Sequence, residues 1–454
     1  MLPNGTRVPL VIIFAVLACR GDAPTAAGLP ASLVRISGDG QSGSPGQALE
    51  RPLVARIVDA DGRPVRSVDV RWSASAGEVT PAISATDANG EARAVWRLGT
   101  ELGPQRATAI ADGLDAVTFE AVVDPDALPD RLPLHAIDLA TYDGSGQVVH
   151  PDIVAPTPEG IDGQPRLVIT PYPSGNASYE NPSLFEGNGR EAWTIPAGIT
   201  NPIFQPSRGY LSDPDILWLP EERQLWLYYR RVDEGNEILV SQSQDGVRWS
   251  APRVVVRVPN HQAVSPTVVR RSATDWLMWT VNAGASGCSS SRTTVELRHS
   301  PDGLVWSSPT TVTLAQPGFH PWHLEVQWMP SRQEYWALYN GKVAGSCTTD
   351  ALFIATSADG VSWKTYASPI LRRGAIPELA DVVYRATFSY DPQRDAISLW
   401  HSGARYTGRG YEWHAAFERR RRADLFDDAE RVTAATAAAL LPSSAPPLTN
   451  ATAP

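Results

Sequence analysis

The chain has 454 residues, 43% of them hydrophobic and 19% charged, with 39 Lys and Arg against 49 Asp and Glu. A net charge of -10 argues against a nucleic-acid binder, which needs a basic surplus. The length exceeds one ordinary domain, and 39 Pro, 35 Gly and 15 Trp suit short strands and tight turns better than helical bundles.

Residues 8–18 read VPLVIIFAVLA, after Arg7 and before Cys19. This apolar run is too short to span a bilayer and suits a signal-peptide core. Val16-Leu17-Ala18-Cys19 resembles the bacterial lipobox, which implies cleavage after residue 18 and lipid on Cys19. An exported, membrane-anchored lipoprotein is therefore expected, touching the membrane only through its acyl chains. Residues 19–30 read as a linker.

Residues 31–125 carry strand-like segments broken by turn signals, among them LVARIVDADGRPV, VDVRWSAS around Trp72, and TDANGEARAVWRLGT. A β-sandwich is expected here. The segment resembles bacterial Ig-like domains of the invasin/intimin type, which serve as spacers or adhesion modules.

The remainder repeats. SLFEGNGREAW, LVSQSQDGVRW, LRHSPDGLVW and IATSADGVSW end in Trp193, Trp249, Trp306 and Trp363, spaced 56, 57 and 57 residues apart. The last three contain Ser-x-Asp-Gly-x-x-Trp, a strand entering a tight turn. Asp245, Asp302 and Asp359 read as turn residues, and the four tryptophans as packing. An aromatic-rich strand precedes each motif, as in QLWLYYR and DWLMWTVN, and a further strand precedes that one: HPDIV, SDPDILWL, SPTVVR, HLEVQW and RATFSY. Four strands in about 59 residues, five times over, predict an all-β, five-bladed propeller over 130–428. An Ala/Pro-rich tail, 429–454, is expected to be disordered. The run Arg419 to Arg422 reads as a solvated edge.

Cys288 and Cys347 sit in equivalent loops of consecutive repeats, GASGCSSS and VAGSCTTD. An exported chain permits a bridge between them.

The innermost strand of each blade lines the central funnel. Aligning these strands brings His150, Asp213, Ser265, His323 and Arg385 into one register and Asp152, Asp215, Thr267, Glu325 and Thr387 into another. Residues i and i+2 of a strand share a face, so both sets approach one cavity. Crowded carboxylates push each other's pKa values apart, which lets one site hold both an acid and a base.

Asp213-Pro214, Ser265-Pro266, Glu325 and the Asp-Gly-x-x-Trp turns resemble the five-bladed propeller clan of glycoside hydrolase families 43 and 32. In that clan one Asp is the general base, a Glu the general acid, and a second Asp tunes the acid. The resemblance implies catalysis by Glu325 as acid with Asp152 or Asp213 as base, on an inverting route. It departs from the clan at His150, which holds the first-blade position, and at Ser265, which holds the third. Substrate contacts are expected from His150, Asp215, His323, Arg385, Glu180, Trp322 and Tyr172. No ligand spacing argues for a metal, and neither metal nor cofactor is expected. The implied function is hydrolysis of a polysaccharide by a monomer. The alternatives are a non-catalytic glycan-binding or adhesion lipoprotein and, behind it, a sialidase-like enzyme. Carbohydrate is the expected partner, and nucleic acid is not.

Overall fold

The computed structural model describes residues 28–124, 131–155, 164–187, 189–190, 192–314 and 316–431. The leader with Cys19 and residues 432–454 lie outside these. Among the described residues no helix is long and apolar enough to cross a membrane. The chain is almost wholly β and divides into two units, split between Leu128 and Pro129.

In the first unit two sheets enclose one core. Strands Ser32–Ser37, Leu53–Val58, Glu91–Arg97 and Glu78–Thr80 make one. Gln41–Gly43, Val117–Val123, Gly103–Ile110, Asp69–Ala74 and Ile83–Ala85 make the other. Strand Glu91–Arg97 alternates buried and exposed residues, sending Ala92, Ala94 and Trp96 inward to meet Trp72 and Phe119. That alternation is the period-2 pattern of a half-buried strand.

The second unit holds five sheets. Their first strands are Val148–Val154, Tyr210–Leu219, Val264–Ser272, His320–Met329 and Val382–Asp391, and each touches the next in a closed cycle. These are the strands the sequence aligned. Each pairs antiparallel with an aromatic-rich second strand: Arg166–Pro171, Gln224–Val232, Asp275–Asn282, Glu334–Lys342 and Ala396–Tyr406. The second strands bury rings between sheets, such as Tyr228, Trp279 and Trp336. In the last sheet the outermost strand comes from the start of the unit: Leu132–Ile137 pairs with Tyr411–Arg421. The repeat pattern gave no sign of this strand.

The repeated turns are built alike. The hydroxyl of Ser243, Ser300 or Ser357 accepts the amide of Gly246, Gly303 or Gly360 at 2.8–2.9 Å. The carboxylate of Asp245, Asp302 or Asp359 accepts the next two amides. A neighbouring sheet then grips the turn: Tyr228 Oη donates to the Gly303 carbonyl and Trp279 Nε1 to that of Gly360, both at 2.8 Å. Gly303 has φ +73°, and a Cβ there would lie 2.7 Å from Tyr228 Oη. Gly303→Ala should therefore destabilise the unit by roughly 2–3 kcal/mol in urea unfolding. Gly284→Ala, with φ +63° and open space around it, should cost only about 1 kcal/mol.

Two boundary readings need correction. Arg422–Glu430 forms an α-helix whose Leu425 and Ala429 are fully buried, so the ordered fold runs past residue 428. Nor is the arginine run a solvated edge. Arg419 is 4% exposed and reaches Asp391 at 2.8 Å, while Arg422 reaches Asp395 at 2.8 Å.

Candidate active site

Every first strand carries a bulge at the same height. Ladder pairing skips between Val149 and Asp152, Ser212 and Asp215, Val264 and Thr267, Pro321 and Leu324, and Val383 and Ala386. In the first three sheets the bulged residue precedes proline and has left-handed φ: +55° at His150, +49° at Asp213 and +53° at Ser265. Each such conformation costs on the order of 1–3 kcal/mol in a non-glycine residue, and strain of this kind gathers at functional sites. The bulges aim two layers of polar side chains at the axis.

The layer one step further along each strand ties the sheets together. Asp152 Oδ2 accepts Ile216 N at 2.5 Å, Asp215 Oδ2 accepts Val268 N at 3.1 Å, and Thr267 Oγ1 accepts Val326 N at 3.0 Å. Gln327 Nε2 donates to Phe388 O at 2.7 Å, and Thr387 Oγ1 closes the circuit on Asp152 Oδ1 at 2.9 Å. Each sheet is thus bonded to the next. Glu325 joins this layer against Arg385 Nη2 at 3.2 Å. Burial raises the Asp152 carboxyl, and burial with Asp152 and Glu325 raises that of Asp215 well above its usual range. Burial and Asp152 push Glu325 up to about 8.

This placement corrects two expectations. Asp152 has both oxygens engaged by the girdle, so neither is free to activate water. The ligand oxygens of Asp152, Asp215 and Glu325 lie within 4.8 Å of one another. An inverting pair needs roughly 6.5–9.5 Å, to admit water beside the sugar.

The bulged layer differs. Asp213 Oδ1 faces His323 Nδ1 at 3.0 Å, His150 Nε2 at 3.4 Å and Arg385 Nη1 at 4.0 Å. Asp213 Oδ2 is held by Arg230 Nε at 2.8 Å, and Arg230 also takes Ser212 Oγ. His150 Nδ1 meets Thr170 Oγ1 at 3.1 Å, which leaves Nε2 to point at the cluster. Asp213 Oδ1 and His323 Nδ1 have each other within hydrogen-bond distance, while His150 Nε2 and His323 Nε2 are enclosed yet lack a hydrogen-bond partner. Ser265 does not join them, because its hydroxyl bonds the Leu324 backbone.

Burial drives both imidazoles below their usual pKa, His150 strongly, so they are neutral at physiological pH. Burial opposes the charge of Asp213, but His150, Arg230 and His323 outweigh it and hold the carboxyl well below the usual range. Two neutral imidazoles and an ionised carboxylate, with ligand atoms within 4.8 Å of one another, match the donor set of a divalent transition metal. The sequence reading makes Asp213 a catalytic base and His150 and His323 substrate contacts, and expects no metal. The geometry makes them a candidate metal centre.

Glu180 stands beside this centre. Two short 3-10 turns, Pro173–Gly175 and Ala177–Tyr179, deliver it, and its carbonyl accepts Leu211 N at 2.8 Å. Its Oε2 is unpartnered and 3.4 Å from His150 Nδ1. Burial, then Asp213, raises its carboxyl well above the ordinary value. Aromatic rings wall the site. Trp322 is 7% exposed and donates to Tyr384 Oη at 3.1 Å, so it is wall rather than open sugar platform. Half-buried Tyr172 packs edge-on against Trp413 at 5.0 Å. Arg230 was not anticipated, although an arginine closing the apolar run QLWLYY was the available signal.

No family model matches the chain. A search of curated proteins finds similarity to the A type blood N-acetyl-alpha-D-galactosamine deacetylase of Flavonifractor plautii, 27% identical over 307 residues. The match takes in 56% of this chain and 40% of that protein, so the chain spans well under half of its relative's length. Among solved structures, an N-acetylgalactosamine deacetylase from F. plautii in complex with blood group B trisaccharide aligns with a TM-score of 0.57 at 23% identity. That alignment covers 66% of this chain and 97% of the other. It supports the propeller-type fold of the second unit. An alpha-L-arabinanase from Penicillium chrysogenum aligns at TM-score 0.44 and 11% identity, over 64% of this chain and 98% of that one.

Proposed function

We propose that the chain is a carbohydrate-active hydrolase that removes a small N-acyl group from an amino sugar, at a divalent metal held by His150, Asp213 and His323. The observation that carries this reading is the convergence of His323 Nδ1 and His150 Nε2 on Asp213 Oδ1, at 3.0 and 3.4 Å, in an enclosed cluster. Similarity to a deacetylase supports the same choice of bond.

A metal bound there would polarise the acyl carbonyl and make water a better nucleophile. The chain's own groups do the rest. Arg230 fixes Asp213 with one oxygen facing the centre, and Thr170 fixes the His150 ring so that Nε2 faces inward. Glu180 takes a proton from water as oxygen adds to the carbonyl carbon, then gives it to the amine as the C–N bond breaks. Trp322 and Tyr384 exclude solvent from this step.

Glycosidic hydrolysis through Glu325 is the competing reading. Against it stand the engagement of Asp152 by the girdle and the pairing of Glu325 with Arg385. One assay separates the two. Purified protein with added zinc or manganese is offered N-acetylgalactosaminides and the arabino- and xylo-oligosaccharides that suit a glycosidase. Acetate release without new reducing ends is expected, and a chelator should stop it. Reducing ends without acetate would overturn the proposal in favour of the glycosidase.

We read the five sheets as a five-bladed propeller and the first unit as an Ig-like spacer. On the same footing, the leader 1–18 followed by Cys19 supports reading the protein as an exported lipoprotein anchored through Cys19.

A further inference from the structure

The loops over the third and fourth sheets form a chain of contacts that the mechanism above leaves unused. His261 lies in the loop entering strand Val264–Ser272, with left-handed φ of +58°. Its carbonyl accepts Ala283 N at 2.9 Å, and its own amide is held by Asn260 Oδ1 at 3.0 Å. The ring is half-buried, and its enclosed Nδ1 has no partner. Gly287 lies flat on the ring: a Cβ there would sit 3.0 Å from Cδ2 and Nε2.

Gly287 begins a 3-10 turn, Gly287–Ser289, that contains Cys288. Cys288 is bonded to Cys347 in the corresponding loop of the next sheet. The same two loops are joined twice more at the Ser290 carbonyl, which accepts Lys342 Nζ at 2.6 Å and Gly345 N at 3.2 Å. The turn pressing on His261 is thus clamped from the neighbouring sheet. A strained backbone conformation that its surroundings fix this firmly is a mark of a functional position. Burial, with the Arg230 guanidinium nearby, pushes the imidazole down to about 4. At neutral pH it is an uncharged ring that can donate one hydrogen bond and accept another. His261 stands four residues before Ser265, on the entry side of its strand, the same side on which the bulged residues His150 and Asp213 precede the layer that ties the sheets together.

We propose that His261 contacts the bound sugar, hydrogen-bonding a hydroxyl or the acyl oxygen, and that the Cys288–Cys347 bridge acts through Gly287 to hold the ring in place. This rests on the amino-sugar reading, and the test keeps the two apart by measuring binding rather than turnover. The methyl glycoside of N-acetyl-α-D-galactosamine is titrated calorimetrically into zinc-loaded protein. His261→Ala should weaken binding roughly 10-fold, the effect of one lost hydrogen bond to a buried group. Zinc affinity and melting temperature should not change. Removing the bridge with Cys288→Ser and Cys347→Ser together should weaken binding several-fold, and should add nothing once His261 is alanine. Should the double variant not fold, Gly287→Ala tests the same contact with the bridge intact and should also weaken binding. Equal affinity of wild type and His261→Ala overturns the inference, as does a bridge effect fully additive with that substitution, or unchanged binding in Gly287→Ala. Sugar binding by wild type without acetate release overturns the hydrolase reading alone. No binding by wild type overturns both.

Discussion

Glu180→Gln should lower kcat for acetate release by roughly 10²–10⁴-fold, the range for loss of a positioned acid–base group. Glutamine keeps the volume and the backbone contacts, including the Leu211 amide on the residue 180 carbonyl. It removes the ability to accept and return a proton. Because Glu180 stands next to the three converging donors rather than among them, metal affinity should stay close to wild type. Isothermal titration with zinc and initial-rate kinetics together separate these effects. A kcat within a few-fold of wild type would remove Glu180 from the chemistry. A parallel loss of metal would make it a ligand instead.

The second large effect is on stability and its pH dependence. Glu325 has its folded-state pKa pushed up to about 8, above an ordinary value of 4.5, by burial and by Asp152. Between those values the folded chain binds more protons than the unfolded one. Stability from this group is therefore complete below about pH 4.5, falls as pH rises toward 8, and changes no further above it. The slope approaches about 1.4 kcal/mol per pH unit for one proton. Glu325→Gln removes the titrating group while keeping a polar side chain opposite Arg385. The variant should be more stable than wild type at pH 8–9 and should lose one proton's share of the decline between pH 5 and 8, while Asp152 and Asp215, whose carboxyls are also raised, keep their own. Urea midpoints across that range measure it. A variant with the wild-type slope would show that Glu325 does not hold the proton in the folded state.

The sequence was most informative where interactions are local. Ser-x-Asp-Gly-x-x-Trp encodes its own turn, since the serine hydroxyl and aspartate carboxylate bond amides within three residues. The register of the first strands followed from those turns, and it brought His150, Asp213, His323 and Arg385 to one level. What those residues do there depends on contacts between sheets. Nothing in HPDIV says that Asp152 will accept the amide of Ile216, or that Thr387 will reach it from the last sheet. Read alone, such an acid looks free for catalysis. The candidate metal centre was hidden for a related reason. Its donors come from three different sheets, so no short spacing announces them. Leu132–Ile137 escaped notice because LPLHAI carries no turn motif and finds its partner near the other end of the unit.

That pairing of Leu132–Ile137 with Tyr411–Arg421 also constrains how the chain reaches its working state. The last sheet is complete only when both of its distant segments are present, and its Thr387 and Arg385 complete the polar layers begun by Asp152 and Asp213. A partly synthesised polypeptide lacks the segment that closes the circle. Assembly of the polar centre therefore waits until residue 421 has arrived, and a premature stop anywhere before it should leave the earlier sheets without a working centre.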